Sequence, residues 1–252
     1  MKPYYQDENI TLYLGDSLKI LNKLDSKSIQ LIFADPPYFL SNDGITCQGG
    51  KMVSVNKGDW DKCKDKHKFN KKWIKQCYDL LSFNGSIFIS GTYHNIYSIG
   101  MALEENNYKI INNITWQKTN PPPNLACRSF KHSTETIIWA RPNHRKYKHI
   151  FNYKEMKEEA GGVQMKDVWT SSLTPKKEKK EGKHPTQKPL FLLDRIIRAA
   201  SNEGDLILDP FNGSGTTAVA AIRNNRKYIG IDNNKEYLDI TIRRIKKEYE
   251  NA

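Results

Sequence analysis

The sequence lacks any apolar run long enough to cross a membrane, and it contains only four cysteines. Cys47, Cys63, Cys77 and Cys127 include no CxxC pair, and the N-terminus does not resemble a signal peptide. A disulfide scaffold and a secreted protein are therefore disfavoured, and reduced thiols in a cytoplasmic protein are expected. Cys63 and His67 are four residues apart, but no second pair of ligands follows them, so no metal site is predicted.

Acidic residues are also scarce relative to basic ones. Lysine and arginine total 40, aspartate and glutamate total 28, and the net charge is +12. This excess favours a polyanionic partner, because neutralisation of phosphates supplies most of the non-specific affinity for nucleic acids. A chain of 252 residues is long enough for one large α/β domain with a substantial core.

The most informative stretch is an apolar strand that stops at a carboxylate, followed by two prolines and a tyrosine. Residues 31–34 are typical of a strand buried on both faces, and Pro36 and Pro37 cannot continue its ladder. Ligands bind at the carboxyl ends of strands in open α/β sheets, so Asp35 and Tyr38 are expected at a cleft. A carboxylate, the Pro36 carbonyl and an aromatic ring suit a planar molecule with an exocyclic amine.

Strand and helix patterns alternate along the rest of the chain. Strands are predicted at 11–14, 86–90, 108–116, 132–141, 206–208 and 227–231. Helices are predicted at 17–24, 69–81, 95–105, from 190 up to Glu203-Gly204, and from 216. Ser17 is the expected N-cap of the first helix, and Asn84-Gly85 is expected to end the second. The alternation predicts an α/β fold with a doubly wound, mostly parallel, Rossmann-like sheet. The strands at 108–116 and 132–141 have no helix between them, which predicts an antiparallel edge hairpin.

Two segments lack this periodicity. Residues 39–68 are rich in turn formers and predict a flexible flap over the ligand, with a dispensable surface insertion as the alternative. Residues 142–183 are strongly charged, and such runs are most often solvated faces. Arg145, Lys146 and Trp169 nevertheless combine basic and aromatic side chains in the way that suits a nucleic-acid surface.

A proline-rich stretch separates the two strands of the predicted hairpin. It contains Lys118, Asn120, Asn124 and Arg128, whose side chains are of the kinds that read base edges or hold phosphates. A stiff structural loop is the alternative interpretation. These four residues, with the three of the charged segment, are the predicted nucleic-acid contacts.

A second strand-end carboxylate opens a glycine-rich turn at residues 209–217. Gly213 and Gly215 permit a tight turn and a close approach of a ligand to the backbone. Asp232 follows Asp209 by 23 positions (232 minus 209), a spacing at which an acid meets a ribose hydroxyl. No third glycine completes the dinucleotide fingerprint, which disfavours a nicotinamide enzyme.

Together with His184-Pro-Thr-Gln-Lys-Pro189, these blocks resemble the S-adenosylmethionine-dependent DNA amino-methyltransferases of the permuted, β type. In that family the catalytic block comes first, the recognition segment second and the cofactor block last. The resemblance covers essentially the whole chain and implies one permuted class I methyltransferase domain over 1–252, with target recognition at 142–183. It implies S-adenosylmethionine as cofactor and DNA as partner.

The resemblance also assigns roles to individual residues. Catalysis is expected from Asp35, Pro36, Pro37 and Tyr38. Cofactor contacts are expected from Asp16, Asp35, Thr186, Gln187, Lys188, Asp209, Phe211, Asn212, Gly213, Ser214, Gly215, Thr216 and Asp232. For Asp16, simple turn chemistry is the alternative.

Residues 116–120 and 132–136 look most like the second adenine methylase of GATC-type restriction-modification systems. The resemblance implies transfer to adenine N6, on a flipped base or a single strand. Cytosine-N4 members usually carry serine in place of Asp35, although physics alone does not forbid cytosine. Enzymes that methylate RNA bases or protein glutamine place the glycine block before the tetrapeptide, and a non-catalytic nucleic-acid binder would not need both blocks. A homodimer is left open, and no obligatory protein partner is inferred.

Overall fold

The structure is a computed structural model. It describes residues 1–38, 65–182 and 184–250, together with the strands Ile45–Gln48 and Lys51–Ser54. Most of the flap expected at 39–68 lies outside the described residues. None of the described helices combines the length and the apolar composition needed to cross a membrane.

Eleven strands and seven α-helices make up the described part of the chain. The strands are β1 (Tyr5–Gln6), β2 (Ile10–Leu14), β3 (Ile29–Ala34), β4 (Ile45–Gln48), β5 (Lys51–Ser54), β6 (Leu81–Gly91), β7 (Tyr108–Lys118), β8 (Thr134–Pro142), β9 (Val168–Ser171), β10 (Leu206–Asp209) and β11 (Lys227–Asp232). The helices are α1 (Ser17–Leu21), α2 (Lys66–Leu80), α3 (Ile96–Glu105), α4 (Tyr153–Glu159), α5 (Leu190–Ala200), α6 (Thr216–Arg223) and α7 (Lys235–Glu250). A short 3-10 helix occupies Lys176–Lys179.

Nine of these strands form one sheet in the order β1-β2-β11-β10-β3-β6-β8-β7-β9. Neighbours from β2 to β6 are parallel, whereas β8 is antiparallel to both β6 and β7. The mostly parallel sheet and the β7–β8 hairpin are therefore confirmed. The hairpin is not the outermost pair, because β9 adds a parallel strand to β7. The strands β4 and β5 pair separately in antiparallel register.

Helices cover both faces of the sheet, and each face has its own apolar core. Leu31 and Phe33 pack in one core with side chains of α5, α6 and α7, while Ile32 and Ala34 pack in the other with side chains of α1, α2 and α3. Both faces of β3 are thus buried, which explains its uninterrupted apolar sequence.

Three predicted element boundaries are corrected by the structure. The N-cap of α1 is Asp16, whose Oδ1 accepts a hydrogen bond from the Lys19 amide at 2.9 Å, and Ser17 is already helical. The second helix begins earlier than predicted, at Lys66, and ends at Leu80 where β6 starts at once. Gly85 therefore does not end a helix; it lies within β6, where an added Cβ would be 2.8 Å from the Ile29 carbonyl oxygen.

Part of the charged segment 142–183 is built into the body of the protein. Its helix α4 is held on α5 by Asn152, whose side-chain Nδ2 donates to the Arg198 carbonyl at 2.7 Å, and by an Arg195–Glu159 ion pair at 2.5 Å. Its strand β9, which the sequence pattern does not predict, pairs with β7. The sequence pattern does not reveal α4 and β9, because each of them has only a few apolar residues among many charged ones.

Candidate active site

A cavity lies where the chain order reverses in the middle of the sheet. There β3 and β10 are neighbours, while their successors β6 and β11 lie on opposite sides of them. Such a reversal leaves a crevice outside the carboxyl ends of the strands. The cavity has a volume of about 260 Å³, and it is lined by Asp35 directly after β3 and by the last residues of β10 and β11, Asp209 and Asp232.

The tetrapeptide after β3 is held by a buried ion pair. Lys188 Nζ lies 2.5 Å from Asp35 Oδ2 and donates to the Tyr38 hydroxyl at 2.9 Å, while that hydroxyl donates to Asp35 Oδ1 at 2.6 Å. Burial by itself would lower the pKa of the Lys188 ammonium, but Asp35 and Glu135 outweigh it and hold this pKa well above its ordinary value. Burial raises the pKa of Tyr38 well above its ordinary value. The phenol is therefore neutral and the lysine charged.

The resemblance implies that Lys188 closes the pocket on the cofactor carboxylate and that Tyr38 stacks on the target base, and the arrangement in the structure bears on both roles. The Lys188 ammonium binds Asp35 instead of pointing to a cofactor carboxylate, and its backbone carbonyl accepts a hydrogen bond from Thr216 Oγ1 at 3.2 Å. The Tyr38 side chain lines the cavity but is only 8% exposed, so stacking on a base requires more of its ring to become accessible.

Two asparagines that no sequence motif singles out fix the tetrapeptide backbone. Asn95 Nδ2 donates to the Pro37 carbonyl at 3.0 Å, and Asn70 Nδ2 donates to Asn95 Oδ1 at 2.8 Å. Both asparagines are buried. They lie on or beside helices that the sequence places correctly, but nothing in a single sequence signals which polar side chain of a helix turns inward.

Glu135 is a further site residue that the sequence did not reveal, and it stands behind Lys188. Glu135 Oε1 lies 2.6 Å from Lys118 Nζ, and its Oε2 lies 3.4 Å from Lys188 Nζ. Burial by itself would raise the pKa of this carboxyl, but the two ammonium groups outweigh it and lower the pKa. Because β8 runs against its neighbours, its first residues lie at the same sheet edge as the end of β3.

The glycine-rich turn is held by two carboxylates, Asp209 at the end of β10 and Asp232 at the end of β11. Asp209 Oδ1 accepts from the Phe211 amide at 3.0 Å, and its Oδ2 accepts from Thr217 Oγ1 at 2.6 Å. Asp232 Oδ2 accepts from the Gly213 amide at 2.8 Å. The acids that the sequence predicts at strand ends therefore shape the turn itself and also line the cavity.

The first helix and the last helix fasten this turn from outside. Ser17 Oγ donates to the Pro210 carbonyl at 2.5 Å. From α7, the Arg244 guanidinium donates to the Ser214 carbonyl at 2.7 Å and to Thr216 Oγ1 at 3.0 Å. Burial lowers the pKa of Arg244 to about 10, so this side chain remains charged at neutral pH.

The cavity suits a ligand that carries positive charge, as S-adenosylmethionine does on its sulfur and its amine. Four carboxylates line it, those of Asp16, Asp35, Asp209 and Asp232, and the Lys188 ammonium beside them is paired to Asp35. Gln187 also lines it, and its buried Oε1 accepts no hydrogen bond from the described residues. An acceptor of this kind suits an amine donor.

The remaining walls are apolar and aromatic. Phe211 meets Trp73 edge to face with ring centroids 5.3 Å apart, and Phe69 lies 6.2 Å from Phe211. On the other side, His184 contacts Tyr237 with ring centroids 4.4 Å apart. A flat heterocycle therefore meets ring surfaces at two places in the cavity.

Most of the predicted site residues come together here. All the predicted catalytic and cofactor residues except Gly215 line the cavity, and Gly215 lies behind the turn against α7. The cavity is also lined by residues for which the sequence predicts no role: Ser17, Leu18, Phe33, Phe69, His184, Leu193, Pro210, Thr217, Ile231, Asn233 and Tyr237. His184 at least begins one of the family motifs, whereas Phe69 and Tyr237 reach the cavity from helices far apart in the sequence.

The predicted DNA contacts divide into three groups. Asn120, Asn124 and Arg128 lie on the loop between β7 and β8, at the sheet edge that carries Asp35. Asn120 Oδ1 accepts from the Leu173 amide at 2.9 Å, and Arg128 is exposed. The structure does not favour the DNA contact predicted for Lys118, because its ammonium is paired with Glu135 and its side chain is only 11% exposed.

The structure does not favour the DNA contact predicted for Trp169 either. It pairs with Trp116 across β7 and β9, is buried, and stacks with the Arg195 guanidinium 5.1 Å from its ring. Its ring therefore belongs to the core and presents no surface to DNA.

Arg145 and Lys146 are exposed but lie at the wrong end of the sheet for the predicted role. They follow β8, whose last residue pairs with Tyr108 at the start of β7. The nine residues of β8 separate them from the Asp35 edge by roughly 25 Å of strand. A contact of these two residues with a base held at the Asp35 edge is therefore not favoured by the fold.

The metal candidate falls partly outside the described residues, since Cys63 is among those that the structure does not describe. Among the described residues, no group of three histidine, cysteine or acidic side chains is arranged to hold a metal ion.

Comparison with known proteins gives the same family from sequence and from fold. The N6_N4_Mtase profile, described as DNA methylase, matches residues 29–243. The type II methyltransferase M2.DpnII of Streptococcus pneumoniae is 59% identical over 252 residues, covering 99% of this chain and 94% of the relative. M2.MboI of Moraxella bovis is 51% identical over 249 residues, covering 97% of this chain and 91% of the relative.

Solved structures show the same fold. The M1.HpyAVI complex with S-adenosylmethionine is 28% identical with a TM-score of 0.66, covering 94% of this chain and 99% of that one. The cytosine-N4-specific PvuII DNA methyltransferase is 20% identical with a TM-score of 0.75, covering 99% of this chain and 94% of that one.

Proposed function

Because the chain belongs to the DNA methylase family, with S-adenosylmethionine as methyl donor, we propose that it methylates adenine N6 within GATC sites. In this proposal it acts as the modification enzyme of a restriction-modification system, and it accepts a flipped base or a single strand. The relatives M2.DpnII and M2.MboI, which are type II methyltransferases, support that setting.

One observation carries the proposal. The amine acceptors of the tetrapeptide, Asp35 and the Pro36 residue beside it, line the same cavity as Asp209 and Asp232 of the cofactor turn. Two sites that are separated by more than half of the chain thus share one space. A base amine held at the first and a methyl donor held at the second would be within reach of each other.

The residues of this chain supply orientation and charge. When bound, S-adenosylmethionine supplies a methyl group on a positively charged sulfur, which keeps the bonding electron pair as the methyl departs. Asp35 accepts a hydrogen bond from one N–H of the amine and the Pro36 carbonyl accepts one from the other, which turns the nitrogen lone pair out of conjugation. As the new N–C bond forms, positive charge develops on the nitrogen, and the Asp35 carboxylate stabilises that charge. The nitrogen then loses one proton, for which Asp35 is the adjacent base.

The choice of adenine rests on Asp35. An ionised carboxylate is a stronger acceptor than the serine that usually occupies this place in cytosine-N4 enzymes. The fold itself does not discriminate, because the cytosine-N4-specific PvuII enzyme shares it.

DNA is proposed to approach the edge of the sheet that carries the cavity. The loop between β7 and β8 offers the polar Asn120 and Asn124 and the exposed Arg128, Phe130 and Lys131 there. This loop contacts the segment that follows β6, the strand next to β3, because His132 stacks on Tyr93 with ring centroids 4.5 Å apart. Its charges suit phosphates, and its amides suit base edges.

The test uses labelled S-adenosylmethionine with duplex and single-stranded oligonucleotides, half of which contain GATC, followed by mass spectrometry of the nucleosides. N6-methyladenine only in the GATC set is the expected result. N6-methyladenine in other sequences would discard the site, and N4-methylcytosine would overturn the choice of base. Transfer to RNA alone would replace the proposed substrate.

A further inference from the structure

Four charged side chains of alternating sign form a row behind the tetrapeptide. In the order Lys118, Glu135, Lys188 and Asp35, successive N–O distances are 2.6, 3.4 and 2.5 Å. The side chains are between 7% and 17% exposed, and their formal charges cancel. We call these four residues the charge row.

Each ammonium of the charge row already has a close carboxylate, Asp35 for Lys188 at 2.5 Å and Glu135 for Lys118 at 2.6 Å. Burying a second carboxylate is costly unless its oxygens find partners. Yet Glu135 Oε2 is buried and accepts no hydrogen bond from the described residues, although Lys188 Nζ is only 3.4 Å away. Glu135 Oε2 can therefore accept a hydrogen bond from the Lys188 ammonium, which in this structure is bound to Asp35.

The present position of Lys188 conflicts with the chemistry assigned to Asp35. Its ammonium occupies acceptor capacity that an incoming amine needs, and it partly neutralises the carboxylate. It would also stand beside the positive charge that develops on the amine nitrogen during transfer. Transfer is favoured if the ammonium moves away from Asp35 as the base enters.

We infer that Glu135 is a positioning residue that takes the Lys188 ammonium from Asp35 when the target base enters, an inference that rests on the proposed function. A shift of roughly half an ångström converts the 3.4 Å separation into an ordinary charge-assisted hydrogen bond. Lys118 holds the other oxygen, Oε1, and so keeps the carboxylate turned towards Lys188. As the ammonium turns to Glu135 its contact with Asp35 lengthens, and acceptor capacity on Asp35 becomes available to the amine.

The test compares Glu135→Gln with the wild type in single-turnover methyl transfer, with S-adenosylmethionine bound beforehand and DNA saturating. Glutamine keeps the size and loses the charge, so Lys188 stays on Asp35, and the transfer rate is expected to fall at least tenfold. The dissociation constant for S-adenosylmethionine is expected to stay within about twofold, because Glu135 does not line the cavity. Glu135→Asp keeps the charge and should recover part of the rate.

A double variant separates positioning from mere support of the fold. If Glu135 acts by drawing Lys188 away, the Gln substitution should cost little further rate in a Lys188→Met background. The matched control is Glu105→Gln, which removes the same charge from an ion pair with Lys71 at 2.9 Å on α3 and should leave the rate unchanged.

The inference is overturned if Glu135→Gln transfers methyl groups at the wild-type rate, or if its loss is undiminished in the Lys188→Met background. A wild-type protein that transfers no methyl group to DNA would overturn the proposed function. It would overturn the inference with it, since Asp35 would then have no amine to receive.

Discussion

Gly215 lies directly against Thr241 of α7, and a Cβ added to it would be 2.6 Å from Thr241 Oγ1. Its backbone is also left-handed, with φ of +72°. The end of the glycine-rich turn at residues 209–217 therefore requires glycine for two independent reasons, the lack of space beside Thr241 and the left-handed backbone.

Gly215→Ala is expected to weaken S-adenosylmethionine binding at least tenfold, because α7 and the loop must separate to accommodate the methyl group. Gly204→Ala is the matched control: φ there is +80°, but an added Cβ meets nothing within 4 Å. It should cost only the left-handed strain, on the order of 1 kcal/mol, and leave binding intact. Isothermal titration and thermal unfolding of both variants measure the difference. Equal binding losses would show that strain alone matters.

Asp35→Asn should reduce methyl transfer at least a hundredfold, about 2.7 kcal/mol of transition-state stabilisation, because the amide carries no charge to stabilise the methylated amine. Binding of S-adenosylmethionine should change less than about threefold. Single-turnover rates and binding titrations provide the two readouts. Near-normal turnover by this variant would rule out the role given to Asp35.

Binding of S-adenosylmethionine should tighten as the pH rises from about 5.5 to about 7.5. Burial raises the pKa of Asp209 to about 7 and that of Asp232 to about 6, so both carboxyls become ionised across this range. Only the ionised forms attract a cationic ligand. The stability of the ligand-free protein changes in the opposite sense through these groups, because the folded state holds their protons more tightly than the unfolded state and is favoured at the lower pH.

The measurement is therefore the increase in Tm caused by S-adenosylmethionine at each pH, not Tm itself. Asp209→Asn is the control, since the amide can accept from the Phe211 amide and donate to Thr217 Oγ1 in place of the present bonds. It should flatten the dependence. A ligand-induced increase that is constant across the range in the wild type would contradict the electrostatic account.

Arg128→Ala should weaken DNA binding and reduce the slope of log affinity against log salt by about one for each phosphate that the variant no longer neutralises. Arg145→Ala should leave that slope unchanged, because Arg145 lies at the opposite sheet edge. Fluorescence anisotropy over a salt series measures both. A larger effect at Arg145 would place DNA on the other edge and contradict the approach proposed above.

Phe130→Ala should lower kcat/KM on duplex DNA about tenfold and have little effect on single strands. The ring is 96% exposed on the loop beside the cavity, where it can fill the gap that a flipped base leaves in a duplex. Phe83→Ala is the control, because Phe83 is a half-exposed ring at the opposite edge, packed on Tyr147. Equal losses on duplex and single strand would argue against insertion.

The sequence by itself determined the features that depend on neighbouring residues. An apolar run that meets proline must end as a strand, and this locates Asp35; a glycine-rich turn after a second buried strand locates Asp209 in the same way. The alternation of strands and helices then predicts a parallel sheet, whose geometry gathers these strand ends at one edge. That is why nearly all of the predicted cofactor and catalytic residues line one cavity.

Tertiary structure alone decided which side chains meet across long stretches of chain. Lys188 reaches Asp35 over 153 positions, and Glu135 joins them only because β8 runs against its neighbours. The same reversal carries Arg145 to the far edge, and the pairing of β9 with β7 buries Trp169. A local sequence pattern shows which side chains are present and whether their spacing is that of a strand or of a helix. The direction of a strand and the identity of its neighbours come from packing between distant segments, and these decided where the charges of this protein lie.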